Sequence, residues 1–254
     1  VNNDAGYAFQ INPDVAMNSS GNFILTWEDH RLGGSDIFAQ RFNSSGLAIG
    51  YNFKVNDDAG AFEQLSPAIG MDGSGHFIIC WTDYRNGNAD IYAQRYNSSG
   101  ISLGYNFKVN DDSGITYQEA PAVSVDGYGN FVLTWQDYRN RNWDIYAQRL
   151  DPLGNPIGRN FKVNDDLGDS YQKSPDVATD FSGNFIITWR DERNSNSDIY
   201  AQRYDFSGSP LNPNFKVNDD LGFAHQGYPA VCMDLSGNFY INWTDYRSGD
   251  RDIY

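Results

Sequence analysis

The passage Gly129-Asn130-Phe131-Val132-Leu133-Thr134-Trp135-Gln136-Asp137-Tyr138-Arg139, followed by Asp144-Ile145-Tyr146-Ala147-Gln148-Arg149, recurs five times in this chain. Its tryptophans fall at Trp27, Trp81, Trp135, Trp189 and Trp243, each 54 residues from the last. A fixed period of this length means a solenoid, a propeller or an array, because each unit buries its apolar surface only against its neighbours. Five full copies of 54 would need 270 residues and the chain has 254.

Each copy contains four strand-like segments. In the second copy these are Phe53 to Asn56, Pro67 to Asp72, His76 to Asp83 and Asp90 to Tyr96. They are short, rich in Ile, Val, Phe, Tyr and Trp, and punctuated by Gly, Asn and Asp, as hairpin-connected strands are. No helical period is present. Twelve positions are common to all copies; the first shows them as Asn2, Asp4, Gly6, Gln10, Pro13, Gly21, Phe23, Trp27, Asp29, Arg31, Asp36 and Ile37. Gly21 and its equivalents sit where a hairpin turn needs positive φ. Pro13 reads as the first residue of a strand. Phe23 and Trp27 share a strand face. Ile24 and Thr26 between them are strand formers, so both faces of the sheet need cover.

Four-stranded antiparallel units covered on both faces and repeated five times predict an all-β fold: a five-bladed β-propeller of 54-residue blades over residues 1–254. The chain begins and ends inside one repeat, so Val1 and Asn2 are expected beside the strand ending at Tyr254, closing the ring.

The formal charge of −15 excludes nucleic acid, whose phosphates need clustered Lys and Arg, and docking on anionic lipid. No apolar run is long enough to insert in a membrane. Val1 in place of Met at the start reads as a mature or excised piece of something longer. Cys80 and Cys232 occupy different repeat positions and read as two separate buried thiols.

The run Pro-Ala-x-x-x-Asp-x-x-Gly-x-Phe, then Trp-x-Asp-x-Arg, then Asp-Ile-Tyr resembles the propeller repeat of TolB-type proteins. Ile91 to Tyr96, Phe107 to Asn110 and Gln118 to Val123 resemble more closely a repeat of large secreted bacterial proteins, with Ile-Tyr-Ala-Gln-Arg followed by Phe-x-Val-Asn. The resemblance implies a propeller in a monomeric domain of a larger secreted or surface-anchored bacterial protein. It implies no reaction.

Several constellations carry chemistry. In Trp-x-Asp-x-Arg, each Arg is expected to clamp its turn by pairing with the preceding Asp and with the Asp opening the next strand, as Asp83, Arg85 and Asp90. The alternative is a ring of ligand-binding guanidiniums. The loops holding Asp57/Asp58, Asp111/Asp112, Asp165/Asp166 and Asp219/Asp220, with Asn3/Asp4 degenerate, offer hard oxygens that suit Ca²⁺. Turn capping explains the same residues. Gln10, Gln64, Gln118, Gln172 and Gln226 read as ties between the loop and the mouth of the central channel.

One loop face is expected to carry Tyr84, Tyr138, Tyr246, Trp143, Phe62, Tyr117, Tyr171 and His225. Aromatic rings beside Arg141, Asn140 and Asn142 suit sugar stacking and hydroxyl recognition. Trp143 is the one Trp off the period, in a polar turn; as a surface ring its loss should cost less than about 0.5 kcal/mol. The expectation is a non-catalytic module that binds glycan or another surface polymer, with a purely structural spacer as the alternative. A glycosidase is the third reading. Most acids recur in every copy and should share one environment; only Glu28, Glu63, Glu119, Glu192, Asp169, Asp176 and Asp250 break the pattern, and no motif groups them. His30, His76 and His225 lack metal-ligand spacing.

Overall fold

A computed structural model describes residues 1–3, 6–220 and 222–254; the repeated Asp4 lies outside the described residues. Among the described residues there is no helix. Nineteen strands form five sheets. The first holds β1 (Gln10–Met17), β2 (Phe23–Asp29), β3 (Asp36–Phe42) and β4 (Ala48–Lys54). The second holds β5 (Gln64–Met71), β6 (Phe77–Asp83), β7 (Asp90–Tyr96) and β8 (Phe107–Lys108). The third holds β9 (Gln118–Val125), β10 (Phe131–Asp137), β11 (Asp144–Leu150) and β12 (Phe161–Lys162). The fourth holds β13 (Gln172–Thr179), β14 (Phe185–Asp191), β15 (Asp198–Tyr204) and β16 (Phe215–Lys216). The fifth holds β17 (Gln226–Met233), β18 (Phe239–Asp245) and β19 (Asp252–Ile253).

Strands pair in sequence order. The Phe-Lys segment is therefore the last strand of the sheet before it, not the first of the next: Ala93 pairs with Phe107, and Tyr92 with Lys108. The turn glycines have the expected left-handed backbone, with φ between 78° and 90° at Gly21, Gly75, Gly129, Gly183 and Gly237. Pro13 is the fourth residue of β1, not its first. It follows a register shift between Ile11 and Asp14, where Asn12 takes φ 49°. A bulge needs no ladder N–H at that point, so proline is tolerated inside the strand.

The chain divides into two compact units, Val1–Pro121 and Ala122–Tyr254. In the first, Ile24, Ile37 and Ala39 pack against Ile69, Phe77, Ile79 and Trp81 of the second sheet. Every residue of β6 is buried, which explains its unbroken apolar run and its place between two covered faces. In the second unit, Val132, Ile145 and Ala147 pack against Val177, Phe185, Ile187 and Trp189. Val1 and Asn3 bond to Asn52, and Tyr254 pairs with Trp243.

A buried amide network ties each sheet to its following loop. Asn56 Oδ1 accepts from Ile37 N, and Asn56 Nδ2 reaches Asp36 Oδ1 and Gln64 Oε1 at 2.8 and 2.7 Å. Asn110 and Asn164 repeat it with Gln118 and Gln172. The period-locked Asn thus donates to the period-locked Gln where water does not reach. Cys80 is buried, and burial pushes its thiol pKa up; Cys232 is exposed, contrary to the pair of buried thiols expected.

Candidate functional site

The Trp-x-Asp-x-Arg residues form a structural clamp with a different geometry from the one expected. Trp81 Nε1 donates to Asp83 Oδ2 at 2.7 Å, and Arg85 donates to the same oxygen at 2.8 Å. Arg85's second partner is Asp57 at 2.8 Å, 28 residues back, and its guanidinium lies 4.4 Å above the Tyr92 ring. Asp90 instead takes Lys108 at 2.7 Å. Burial opposes the Arg85 charge, but the bonds from Asp83 and Asp57 outweigh it and raise its pKa. The same stack recurs at Arg31, Arg139, Arg193 and Arg247.

The acidic loops have partners within the protein. Asp57, Asp165 and Asp219 bind Arg85, Arg193 and Arg247. Asp58, Asp112, Asp166 and Asp220 accept from Asn56, Asn110, Asn164 and Asn218. Lys54, Lys108, Lys162 and Lys216 place an ammonium beside each cluster, on Asp36, Asp90, Asp144 and Asp198. Among the described residues no group of three His, Cys, Asp or Glu could hold a metal ion.

The expected aromatic face divides between the two units. In the first, Tyr84 donates to Glu119 at 3.2 Å, beside a half-exposed Tyr117. Burial, and then the Glu119 carboxylate, push the Tyr84 phenol up to about 12. Glu28 accepts from Asn12 and from the backbone of Ser66, and Glu63 accepts from the backbone of Ser35.

In the second unit Trp143 is not a projecting ring. It is half-buried, 5.2 Å from Tyr138, with the Lys173 ammonium 5.3 Å from its centroid and 5.2 Å from that of Tyr171. Asn140, expected to meet sugar hydroxyls, bonds Asp144 and Tyr146; Asn142 is buried. Arg141 is exposed in the turn with φ 68°.

Tyr246 and His225 fall elsewhere in that unit, in a cleft of about 600 Å³ between the fourth and fifth sheets. Arg190, Glu192, Tyr228 and Arg251 complete its polar and aromatic lining. Arg190, the penultimate residue of β14, pairs with Glu192, while its Nε donates to Ser197 at 3.0 Å. Arg251 immediately precedes β19; its Nε donates to the Tyr246 hydroxyl, and its guanidinium lies 5.5 Å from the centroid of that ring. The Tyr246 bond raises the Arg251 pKa further. Tyr228 stands at the bulge of β17 with φ 51°.

Sequence reasoning missed Arg190, Tyr228 and Arg251, and left Glu192 ungrouped. The signal was a break in the repeat. Arg190 stands where the other copies have Glu28, Thr82, Gln136 and Thr244; Arg251 where they have Ser35, Ala89, Trp143 and Ser197.

No family model matches the chain, and no curated protein does. Solved structures share its fold. A GH93 α-L-arabinofuranosidase of Fusarium graminearum, complexed with arabinobiose, aligns over 95% of this chain and 78% of its own, at 12% identity and TM-score 0.68. A Penicillium chrysogenum α-L-arabinanase complexed with arabinobiose aligns over 93% and 77%, at 12% and 0.67. An endo-arabinase from Bacteroides thetaiotaomicron aligns over 97% and 93%, at 15% and 0.52. Two expectations, that the chain is a non-catalytic module and that it is not an enzyme, stand corrected by these likenesses: the solved proteins that share its fold are arabinan-degrading enzymes. What they share with this chain is the fold: four-stranded antiparallel sheets repeated as the blades of a β-propeller.

Proposed function

We propose that the chain is a glycoside-cleaving enzyme whose saccharide lies in the cleft between the fourth and fifth sheets. The observation that carries this reading is that an acid, two guanidiniums and the Tyr228 ring break the repeat together at one cleft. A large concave pocket with a few convergent polar groups is where small substrates bind. The arabinan-degrading enzymes of similar fold make a furanoside glycan the first substrate to offer.

Glu192 is the carboxylate of the cleft. It pairs with Arg190, and a carboxylate is the group that serves a glycosidase as base or nucleophile. His225, on the fifth-sheet wall, is the residue type that exchanges a proton near neutral pH and serves as the donor to the leaving group. Tyr228 and Tyr246 supply ring faces for stacking. The likeness of the repeat to those of secreted bacterial surface proteins supports an extracellular setting, where polymeric glycans are met.

The test is release of reducing ends from linear arabinan and of nitrophenol from an aryl α-L-arabinofuranoside. Glu192→Gln should slow both at least about a hundredfold, as loss of a general base does. No release above a buffer blank, or a full rate in Glu192→Gln, refutes the assignment.

A further inference from the structure

We infer that this cleft selects a saccharide bearing a carboxylate, a uronic acid at or beside the cleaved bond. The inference rests on the glycan reading above and adds the charge of the substrate.

The chain carries 33 acids against 18 basic residues. The cleft inverts that balance: its lining holds two guanidiniums, Arg190 and Arg251, against the carboxylate of Glu192. The corresponding positions elsewhere hold no such pair. The equivalent positions in successive copies are Glu28 and Ala89, Thr82 and Trp143, and Gln136 and Ser197.

The two guanidiniums differ in role. Arg190 has Glu192 and Ser197 as partners, and so braces the wall and its carboxylate. Arg251 uses only its Nε within the protein, on Tyr246. Its Nη1 and Nη2 have no bond among the described residues. That leaves an end-on planar fork at the cleft, and a planar fork matches a carboxylate with two parallel hydrogen bonds. Stacking on Tyr246 fixes the guanidinium plane, so little freedom is lost when an anion arrives.

Tyr228 supplies a second, independent pointer. The bulge residue takes φ of 49–53° in all five copies and is Asn12, Ser66, Ala120 or Ser174 in the other four. The backbone there belongs to the repeat; what is particular to this cleft is the ring. Tyr228 is 69% exposed and lines the cleft. It is placed as a stacking platform for the sugar ring whose carboxylate meets Arg251. The cleft has room for more than one ring.

The experiment is calorimetric titration of the Glu192→Gln protein with digalacturonic acid, with its methyl ester, and with neutral arabinobiose. The acid should bind roughly tenfold or more tighter than its ester, as a charge-assisted bidentate contact allows. That ratio should shrink at high salt and fall to about one in Arg251→Gln. Arg251→Lys, which keeps the charge without the fork, should recover part of it. Arg159→Gln, which removes an exposed charge outside the cleft, should leave the ratio intact. Equal affinity for acid and ester, with arabinobiose still bound, overturns this inference and leaves the glycosidase reading standing. A sulfated disaccharide that binds tighter than the uronate overturns the carboxylate assignment. Binding of none of these ligands overturns both readings.

Discussion

The five tryptophans are one residue in the sequence and two populations in the structure, and that difference can be measured. Trp135 is fully buried and its Nε1 donates to Asp137 Oδ2 at 2.8 Å. Trp243 makes the same bond at 3.0 Å but is only partly covered. A buried Trp removes roughly 150–250 Å² from water, about 4–6 kcal/mol at 25 cal/mol per Å². Trp135→Ala keeps a small part of that area, and its cavity collapses incompletely. The expected cost is about 3–5 kcal/mol. Trp135→Phe fills most of the volume but removes the N–H. Asp137 Oδ2 keeps the Arg139 bond at 2.8 Å, so this variant should lose only about 1–2 kcal/mol. Trp243→Ala, which vacates less buried volume, should fall well below Trp135→Ala. Urea unfolding followed by far-ultraviolet circular dichroism gives all three midpoints, with the slope checked for constancy. Equal losses for Trp135→Ala and Trp243→Ala would refute the burial difference. A Trp135→Ala protein that melts with the wild type yet loses arabinan cleavage would make this ring a ligand contact.

Other outcomes follow from single contacts. Trp143→Ala should cost about 1–2 kcal/mol, above the surface value expected from sequence, because the ring is half-buried against Tyr138 and Lys173; a change under 0.5 kcal/mol by urea midpoint would restore the exposed turn. Burial opposes the Asp245 charge, but Arg247 and Trp243 bonds outweigh it and hold its pKa at about 2 against 3.8 unfolded. Its contribution is therefore full above pH 3.8 and is lost as pH falls through about 2, roughly 2 kcal/mol in all. Asp29 and Asp198 shift the same way and Asp14 the other, so acid titration of stability should fall steeply there; a flat profile contradicts the clamp. Oδ2 of Asp58, Asp166 and Asp220 is buried without a protein donor, which gives calcium one remaining opening. With Lys54, Lys162 and Lys216 beside them, added Ca²⁺ should leave the melting midpoint of EDTA-treated protein unchanged. Stabilisation of roughly 2.7 kcal/mol at a hundredfold excess over Kd would reverse that conclusion.

What was legible in the sequence was whatever repeats. Gly21, Trp27 and Asp29 declare a turn, a covered strand and its end because their reasons lie within one strand or turn. Contacts spanning repeats were not legible. Arg85 was expected to bond forward to Asp90 and bonds back to Asp57, because β8 returns beside β7 and brings the preceding loop with it. The phase of the sheets was missed for a similar reason. Phe107 and Lys108 make a strand of two residues, too short for periodicity to show which sheet owns them. The site was least legible. Its residues come from the ends of two adjacent sheets and are defined by departing from the repeat, which a search for motifs passes over.

One position shows how a departure makes a site. At the penultimate residue of the second strand, Glu28 accepts from the backbone N–H of Ser66 at 2.6 Å, and Gln136 accepts from that of Ser174 at 3.2 Å. Thr82 does the same for Ala120 at 3.3 Å. In each case the side chain laces the bulge of the next sheet to its own sheet, across 38 residues of sequence. Arginine has donors only, so Arg190 cannot take the N–H of Tyr228. It turns along its own sheet to Ser197 and Glu192 instead. The lacing bond is thereby removed at the fourth and fifth sheets, and the cleft opens there. Arg190→Gln restores an acceptor and is expected to close it: the variant should be more stable than wild type by about 1 kcal/mol, the net worth of one hydrogen bond, while glycan binding weakens. A variant that is less stable than wild type, with binding unchanged, would show that Arg190 braces the cleft without having opened it.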